Sequence, residues 1–173
     1  MLIGEKVCLG PVLNGDGALL FTWFDTLEIA SASGPYRPSA EGKFAQWLAG
    51  AANDNTRVLF AIRRQGDLRL LGHLHIWNIH PVLRSADVGL GIGLVSDRRQ
   101  GYGQEALKLA VDYCWRELNL QRVALTVLST NPWAEHAYAK VGFEAEGRLR
   151  RATYVDGRHH DVIVMSMLRP EGG

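Results

Sequence analysis

Apolar residues recur along this chain with two periods, and each period predicts a different kind of element. Helical spacing is strongest over 104–118, where six apolar side chains fall three, four and seven positions apart. Weaker helical spacing covers three further stretches, 19–30, 40–52 and 132–141. Ser39 and Asn53 are start and stop signals for the second of these helices. The stretch SASGPYRPS, which separates the first two helices, is predicted to be a loop.

Short apolar or alternating runs bounded by turn residues predict strands. They cover 58–63, 68–79, 85–95, 122–128, 143–152 and 159–168, and the early run EKVCLGPV is expected to add an edge strand. The signatures RQGD and Asp156-Gly157 predict hairpin turns. Strands at both ends, with helices between them, indicate an α/β (α+β) fold. We expect a mixed, mostly antiparallel central sheet of about seven strands flanked by about four helices.

One of these strands has an unusual alternation. Over VGLGIGL, residues 88–94, apolar side chains alternate with Gly89, Gly91 and Gly93, so one face of the strand is without side chains. Glycine weakens the interior of a strand, so three glycines at alternate positions require a compensating contact. Two such contacts remain open: a helix packed closely on the bare face, or a ligand chain lying along the backbone.

The glycine strand leads through a basic turn into the strongest predicted helix. In SDRRQGYGQEAL, Gly101 and Gly103 stand where the helix starts. A helix start presents N–H groups without intrahelical partners and a partial positive charge, which together favour an anion. Arg98 and Arg99 add positive charge. The pattern predicts a phosphate site, and a solvated loop with capping glycines is the alternative. A ligand with a slim polar arm and a pyrophosphate would fit both the strand and the turn.

The segment GYGQEA also satisfies the dinucleotide fingerprint G-x-G-x-x-G/A. That fingerprint follows its strand directly, whereas SDRRQ intervenes here, and no carboxylate stands in QRVALTVLST, about twenty positions on. A Walker-type phosphate loop is absent from the sequence. A dinucleotide-dependent oxidoreductase is therefore disfavoured.

Composition narrows the class of protein further. The 173 residues, 47% hydrophobic and 21% charged, are typical of one globular domain, expected to cover 1–173. A formal charge of +1 gives no reason to expect nucleic acid as a partner. Cys8 and Cys114 form neither a disulfide framework nor a metal-ligand spacing, so no metal is expected. Without a signal peptide or a run long enough to span a membrane, the default location is cytoplasmic, with no membrane partner.

Two spaced motifs resemble those of the GCN5-related N-acetyltransferase (GNAT) superfamily. Its signature R/Q-x-x-G-x-G/A is matched by RRQGYG, residues 98–103. Its second element, an Asn after the next strand and a helix ending in Tyr-x-x-x-Gly-Phe, is matched by Asn131, Tyr138, Gly142 and Phe143. The predicted element order agrees with the family's fold. The closing YVDGRHHDVIVMSML is similar to the last hairpin of the branch typified by ribosomal-protein N-terminal acetyltransferases.

The resemblance implies the acyl-CoA N-acyltransferase fold and an N-acetyltransferase with acetyl-CoA as co-substrate. The acetyl group would pass to a primary amine, of a peptide N-terminus or a small molecule, by direct attack in a ternary complex. Contacts with acetyl-CoA are implied for Ile92, Leu94, Val95, Arg98, Arg99, Gln100, Gly101, Tyr102, Gly103, Gln104, Asn131, Ala134 and Tyr138. A non-catalytic CoA-binding sensor or scaffold is the alternative function. A homodimer is the commonest soluble assembly and the default here.

The same resemblance suggests catalytic roles, and each has a structural alternative. Tyr138 is expected to act as general acid, because a phenol with a pKa of about 10 is protonated at neutral pH; it could instead be a packed core residue. Asp87 is expected to act as a base through water, or to be a structural strand-end residue. Asn131 before Pro132 is explained as a helix N-cap without any ligand. On 68–79, His73 and His75 share a face and, with His80 nearby, could line an acceptor cleft.

Overall fold

The computed structural model describes residues 1–25, 37–51 and 53–171. Its strands are β1 Leu2–Ile3, β2 Val7–Gly10, β3 Val58–Arg64, β4 Leu70–His80, β5 Ser85–Ile92, β6 Arg122–Leu128, β7 Glu144–Val155 and β8 Arg158–Leu168. Its α-helices are α1 Gly17–Phe24, α2 Glu41–Ala51, α3 Tyr102–Arg116 and α4 Pro132–Val141. Residues 26–30 of the first predicted helix and residues 31–36 of the predicted loop lie outside the described residues.

The strands form one sheet in the order β1-β2-β3-β4-β5-β6-β8-β7. Neighbouring strands are antiparallel except for β5 and β6, which run parallel. The predicted mixed, mostly antiparallel sheet is thus confirmed. The described strands number eight rather than seven, because the two-residue β1 pairs with β2 and takes the edge position expected for EKVCLGPV.

The parallel pair separates soon after it forms. Strands β5 and β6 are in register only over Ser85–Asp87 and Arg122–Ala124. Beyond these residues β5 continues beside β4 as far as Ile92, and β6 continues beside β8 as far as Leu128. The facing edges of 88–92 and 125–128 therefore have no strand partner, and we call the opening between them the split.

The two faces of β5 differ in what covers them. Val88, Leu90 and Ile92 point towards α3 and contribute to the main hydrophobic core. From α3 this core receives Ala106, Leu107, Ala110, Val111 and Cys114, the apolar positions of the predicted helix. Cys114 is fully buried, and burial raises the pKa of its thiol to about 12, as expected of an inert core cysteine. The opposite face of β5, which carries Gly89 and Gly91, we call the glycine face.

Several element boundaries differ from the prediction, and three of these differences have a clear local reason. Strand β5 ends at Ile92 rather than residue 95, because a 3-10 turn occupies Val95–Asp97. Helix α3 begins at Tyr102, two residues earlier than expected, since Gly101 adopts φ 85° as its N-cap. Strand β4 begins at Leu70 because Leu68, with φ 58°, belongs to the preceding turn.

Candidate active site

The start of α3 lies against the end of β5 and presents bare N–H groups. A Cβ at Gly103 would lie 3.2 Å from Leu90 Cδ1, which places the first turn of the helix on the strand. The N–H of Glu105 donates to Gly101 O at 3.1 Å, so the N–H groups of 102–104 precede the first intrahelical bond. Among the described residues no side chain accepts from these three groups. The helix start is therefore open to an anion.

A partly buried ion pair fixes the turn that precedes this helix. Asp97 accepts two hydrogen bonds from the Arg69 guanidinium, at 2.8 and 2.9 Å, and Asp97 is 8% exposed. The Arg69 hydrogen bonds hold the pKa of Asp97 below its usual value. A bidentate carboxylate–guanidinium pair has a defined geometry, so it anchors the turn to the start of β4. Spacing in the sequence does not predict this pair, because Arg69 and Asp97 are distant along the chain; the isolated acid in a basic turn is the one local signal.

The N-terminal segment is hydrogen-bonded to the first turn of α3 and to the residue before Gly101. The Glu105 carboxylate accepts the backbone N–H of Glu5 and, at 2.9 Å, that of Lys6. Lys6 Nζ donates to Gln100 O at 3.1 Å, and a Cβ at Gly101 would lie 3.2 Å from this nitrogen. Lys6 therefore brings positive charge to the helix start, and sequence spacing could not have shown this.

The two arginines predicted to attract phosphate lie at the turn and also hold it in place. Arg98 donates from Nε to Ile92 O and from Nη2 to Gly93 O, both at 3.3 Å, and so spans the end of β5. The Arg99 guanidinium lies 4.6 Å from the centre of the Trp133 ring at the start of α4. This cation–π contact joins the turn to α4. Both arginines therefore belong to the turn that leads into α3 and hold it against neighbouring elements.

Helix α4 carries the second motif, and its caps explain part of that motif. Asn131 Oδ1 accepts the N–H of Ala134 at 3.2 Å and Pro132 occupies the first helical position, so the predicted N-cap is confirmed. Gly142 ends the helix with φ 118°. Tyr138 packs against the main core, and burial raises the pKa of its phenol. The group is therefore protonated at neutral pH.

Asp87 and Tyr138 lie on opposite faces of the sheet. Because side chains alternate along β5, Asp87 points away from the core that contains Val88 and Tyr138. Asp87 accepts a hydrogen bond from Asn78 Nδ2 at 2.7 Å. It lines a cavity of about 240 Å³ at the closed end of the split, with His80, Ser85 and Arg122 among the other lining residues. The structure thus places Asp87 beside an open space on the glycine face.

Aromatic rings from β4 and from helix α1 lie over the glycine face. A Cβ at Gly91 would lie 2.9 Å from His73 Cε1, and one at Gly89 would lie 3.1 Å from the Trp77 ring. After the strand ends, a Cβ at Gly93 would lie 2.1 Å from the ring of Trp23 on α1. The alternating glycines are therefore explained by the protein's own rings. Of the two contacts left open, the structure shows the helix packed on the bare face, through Trp23 and Phe24 of α1. The rings occupy the space that a ligand along this face would need, and the unpaired backbone is at the strand's edge.

Of the three histidines predicted to lie near one another, His73 and His75 share a face as expected, and His80 lies apart from them at the β4–β5 turn. His73 and His75 share the glycine face, whereas His80 Nδ1 accepts the N–H of Leu83 in the β4–β5 turn. Burial lowers the pKa of His73 to about 4, so its ring is neutral at physiological pH. No group of three metal-ligating side chains occurs among the described residues. Within the same residues, no helix has the length and apolar character needed to cross a membrane.

The structure thus has a free strand edge next to an open helix start. Comparison with known proteins identifies the class of protein. A family model described as an acetyltransferase (GNAT) domain matches residues 6–144. The chain belongs to this family. The expected fold and the expected class, an N-acetyltransferase with acetyl-CoA as donor and an amine as acceptor, are confirmed.

Individual relatives agree with this assignment. YdaF of Bacillus subtilis (strain 168), provisionally named a ribosomal N-acetyltransferase, is 31% identical over 105 residues, 61% of this chain and 57% of YdaF. The spermidine N(1)-acetyltransferase of Vibrio cholerae serotype O1 is 30% identical over 117 residues, 68% of this chain and 66% of that protein. A crystal structure of a Vibrio cholerae spermidine N-acetyltransferase with CoA and spermine superimposes with a TM-score of 0.87. The two chains are 25% identical, and the aligned region covers 94% of this chain and 95% of the Vibrio cholerae chain.

Proposed function

We propose that the split and the start of α3 together form the acetyl-CoA site and that the acetyl group passes directly to a primary amine. The observation that carries the proposal is the limited pairing of β5 with β6, which frees the backbone edge of residues 88–92 next to the bare N–H groups of 102–104. A polar arm can pair with a free strand edge, and a diphosphate fits an open helix start.

Within this site the implied cofactor residues divide into three groups. The turn, residues 98–104, would bind the diphosphate through backbone N–H groups and the charges of Arg98 and Arg99. Ile92, Leu94 and Val95 would flank the arm, with a backbone N–H near 92–94 directed at the carbonyl. Asn131, Ala134 and Tyr138 would contact the arm from α4. Lys6, beside Gly101, adds a further cation.

Acetyl-CoA supplies a thioester whose C–S bond breaks as the new C–N bond forms. Tyr138 is suited to donate its phenolic proton to the departing sulfur, because burial keeps the phenol protonated at neutral pH. Asp87 is suited to receive the amine's proton through water, since it lines an open cavity at the closed end of the split. The acceptor would be a peptide or protein N-terminal amine or a small amine. A single domain over 1–173, a homodimer and a cytoplasmic location complete the proposal.

Thermal unfolding with and without CoA tests the site. Gly101→Asp places a carboxylate at the helix start, so the rise in melting temperature caused by CoA should disappear. Gly157→Asp is the matched control, because Gly157 also has positive φ, 73°, and lies in the β7–β8 turn with nothing within 4 Å of an added Cβ. Equal CoA shifts in the two variants would contradict the proposed site.

Thiol release from acetyl-CoA in the presence of amines tests the chemistry. Tyr138→Phe should lower kcat about a hundredfold, the usual range for loss of a general acid, while the CoA-induced thermal shift remains. An unchanged kcat would remove Tyr138 from the mechanism. CoA binding without thiol release for any peptide, polyamine, aminoglycoside or amino acid would favour the sensor or scaffold.

A further inference from the structure

A set of half-buried aromatic rings on the glycine face is not explained by acetyl-CoA binding. These rings, Phe24, Trp47, His73, His75 and Trp77, we call the aromatic wall. Phe24 lies 4.2 Å from His73 between ring centres, Trp47 lies 5.8 Å from His75, and His75 lies 5.1 Å from Trp77. All five side chains are partly exposed. The wall therefore reaches the surface, unlike the closed core on the other face of β5.

The wall begins next to the closed end of the split. Trp77 pairs in register with Asp87 and His75 with Gly89, the second residue of β5 beyond its pairing with β6. Asp87 and Gly89 share a face with these rings, so the wall lies on the same face of the sheet as the cavity lined by Asp87, one strand away from it. The wall thus adjoins the place where the acetyl group and its acceptor would meet.

One polar atom in the wall lacks a partner. Nε2 of His75 is buried and makes no hydrogen bond. A buried polar atom without a partner is unfavourable, so such atoms in folded proteins often mark a missing ligand or water. Burial lowers the pKa of His75; Arg57 lowers it further, and Asp54 acts in the opposite direction. A neutral imidazole has one nitrogen lone pair, which can accept a hydrogen bond from an amine.

The charges around the wall do not suit a molecule with several ammonium groups. Asp54 is paired with Arg57 at 2.6 Å, and Glu146 is paired with Arg122. Asp87 already accepts from Asn78, and Arg122 lies close enough to interact with it electrostatically. A polyamine is recognised by carboxylates of opposite charge. Asp54, Asp87 and Glu146 each have a partner already, so one amine on an apolar body is the better fit.

We propose that the aromatic wall is the acceptor site, that it takes a primary monoamine with an apolar or aromatic body, and that His75 Nε2 accepts a hydrogen bond from the amine. This inference rests on the proposed acetyl transfer and names its acceptor class. The apolar body packs against Trp47 and Trp77, and the hydrogen bond to His75 directs the nitrogen towards the split. The same arrangement disfavours spermidine, although spermidine is the acceptor named for a relative.

Kinetics with two acceptors and three variants test the proposal. Phenethylamine should be acetylated with a kcat/KM at least tenfold above that of spermidine. His75→Leu should raise the KM for phenethylamine about tenfold, because one hydrogen bond to this substrate is lost. The KM for acetyl-CoA should not change. His75→Gln, whose amide oxygen can still accept, should keep part of the affinity. His136→Gln, at an exposed position on α4, is the matched control and should change neither KM.

Stability separates a binding role from a structural one. Because Nε2 of His75 has no partner, His75→Leu should keep or raise the melting temperature; a structural histidine would lower it. A better kcat/KM for spermidine than for phenethylamine, or an equal rise in both KM values in His75→Leu, would overturn the proposal.

A binding measurement covers the case in which neither amine is acetylated. In spectra of protein with carbon-13-labelled histidine and bound CoA, the His75 signal is the one lost in His75→Gln. Phenethylamine should shift this signal and spermidine should not; a larger shift with spermidine, or no shift with either, would overturn the acceptor site. Absence of the CoA-induced thermal shift would instead refute the proposed acetyl-CoA site, so the two failures are distinguishable.

Discussion

The two faces of β5 carry alternate residues of the same strand, and they differ in how the space above the backbone is filled. Val88, Leu90 and Ile92 meet the apolar stripe of α3, and side chains fill the space between strand and helix. On the glycine face the strand contributes almost no side-chain volume, and rings from β4 and α1 lie directly over its backbone. One face therefore tolerates substitutions of similar volume, whereas the other depends on glycine.

The substitutions with the largest expected effect on stability add one methyl group to a glycine along the glycine face. Gly93→Ala should lower the free energy of unfolding by about 3 kcal/mol, because the buried Trp23 ring occupies the space of the new Cβ. Gly89→Ala should cost about 1 kcal/mol, since only the edge of the half-buried Trp77 must move. Chemical denaturation measures both values.

Two controls identify the ring as the cause. An added Cβ at Gly147, in β7, has nothing within 4 Å, so Gly147→Ala should be neutral or slightly stabilising. In a Trp23→Leu background, Gly93→Ala should cost clearly less than in the wild type, because the two positions are in contact. Equal costs in both backgrounds would show that the glycine is required for another reason.

These contacts show where sequence analysis of the site could succeed. Helix α3, strand β6 and the cap at Asn131 follow from periodicity and local signals that lie within a few residues of one another. The extent of the split does not, because β5 and β6 are apolar beyond the point where their pairing stops. The rings over Gly89 and Gly91 depend on the β4–β5 register, and the bonds of Glu105 to Glu5 and Lys6 join residues that are distant in sequence. Such contacts exist only in the folded chain.

The glycine face should also respond to pH in a way that the apolar face cannot. Burial lowers the pKa of His73 from 6.5 to about 4, so between these values the unfolded chain binds a proton that the folded chain excludes. Stability should therefore fall as pH drops from 6.5 to 4, by at most about 1.4 kcal/mol per pH unit from this residue. His73→Gln should reduce the slope of stability against pH, measured by denaturation at several pH values.

His136→Gln, at an exposed site on α4, is the matched control for that slope and should leave it unchanged. Only slopes are compared, because His73→Gln also alters the stacking with Phe24. A slope identical to that of the wild type would mean that His73 titrates in the folded protein as it does in the unfolded chain.

A similarly small effect is expected at the start of α4. Asn131→Ala removes the side-chain acceptor for the N–H of Ala134 and should cost about 1 kcal/mol, the usual value of an N-cap. Asn131→Asp keeps an acceptor at the same position and should retain most of the stability. If Asn131 also contacts the acetyl-CoA arm, Asn131→Ala should raise the dissociation constant of CoA by more than its small stability loss explains. An unchanged constant would leave capping as the whole role of Asn131 and restrict the arm's contacts on α4 to other residues.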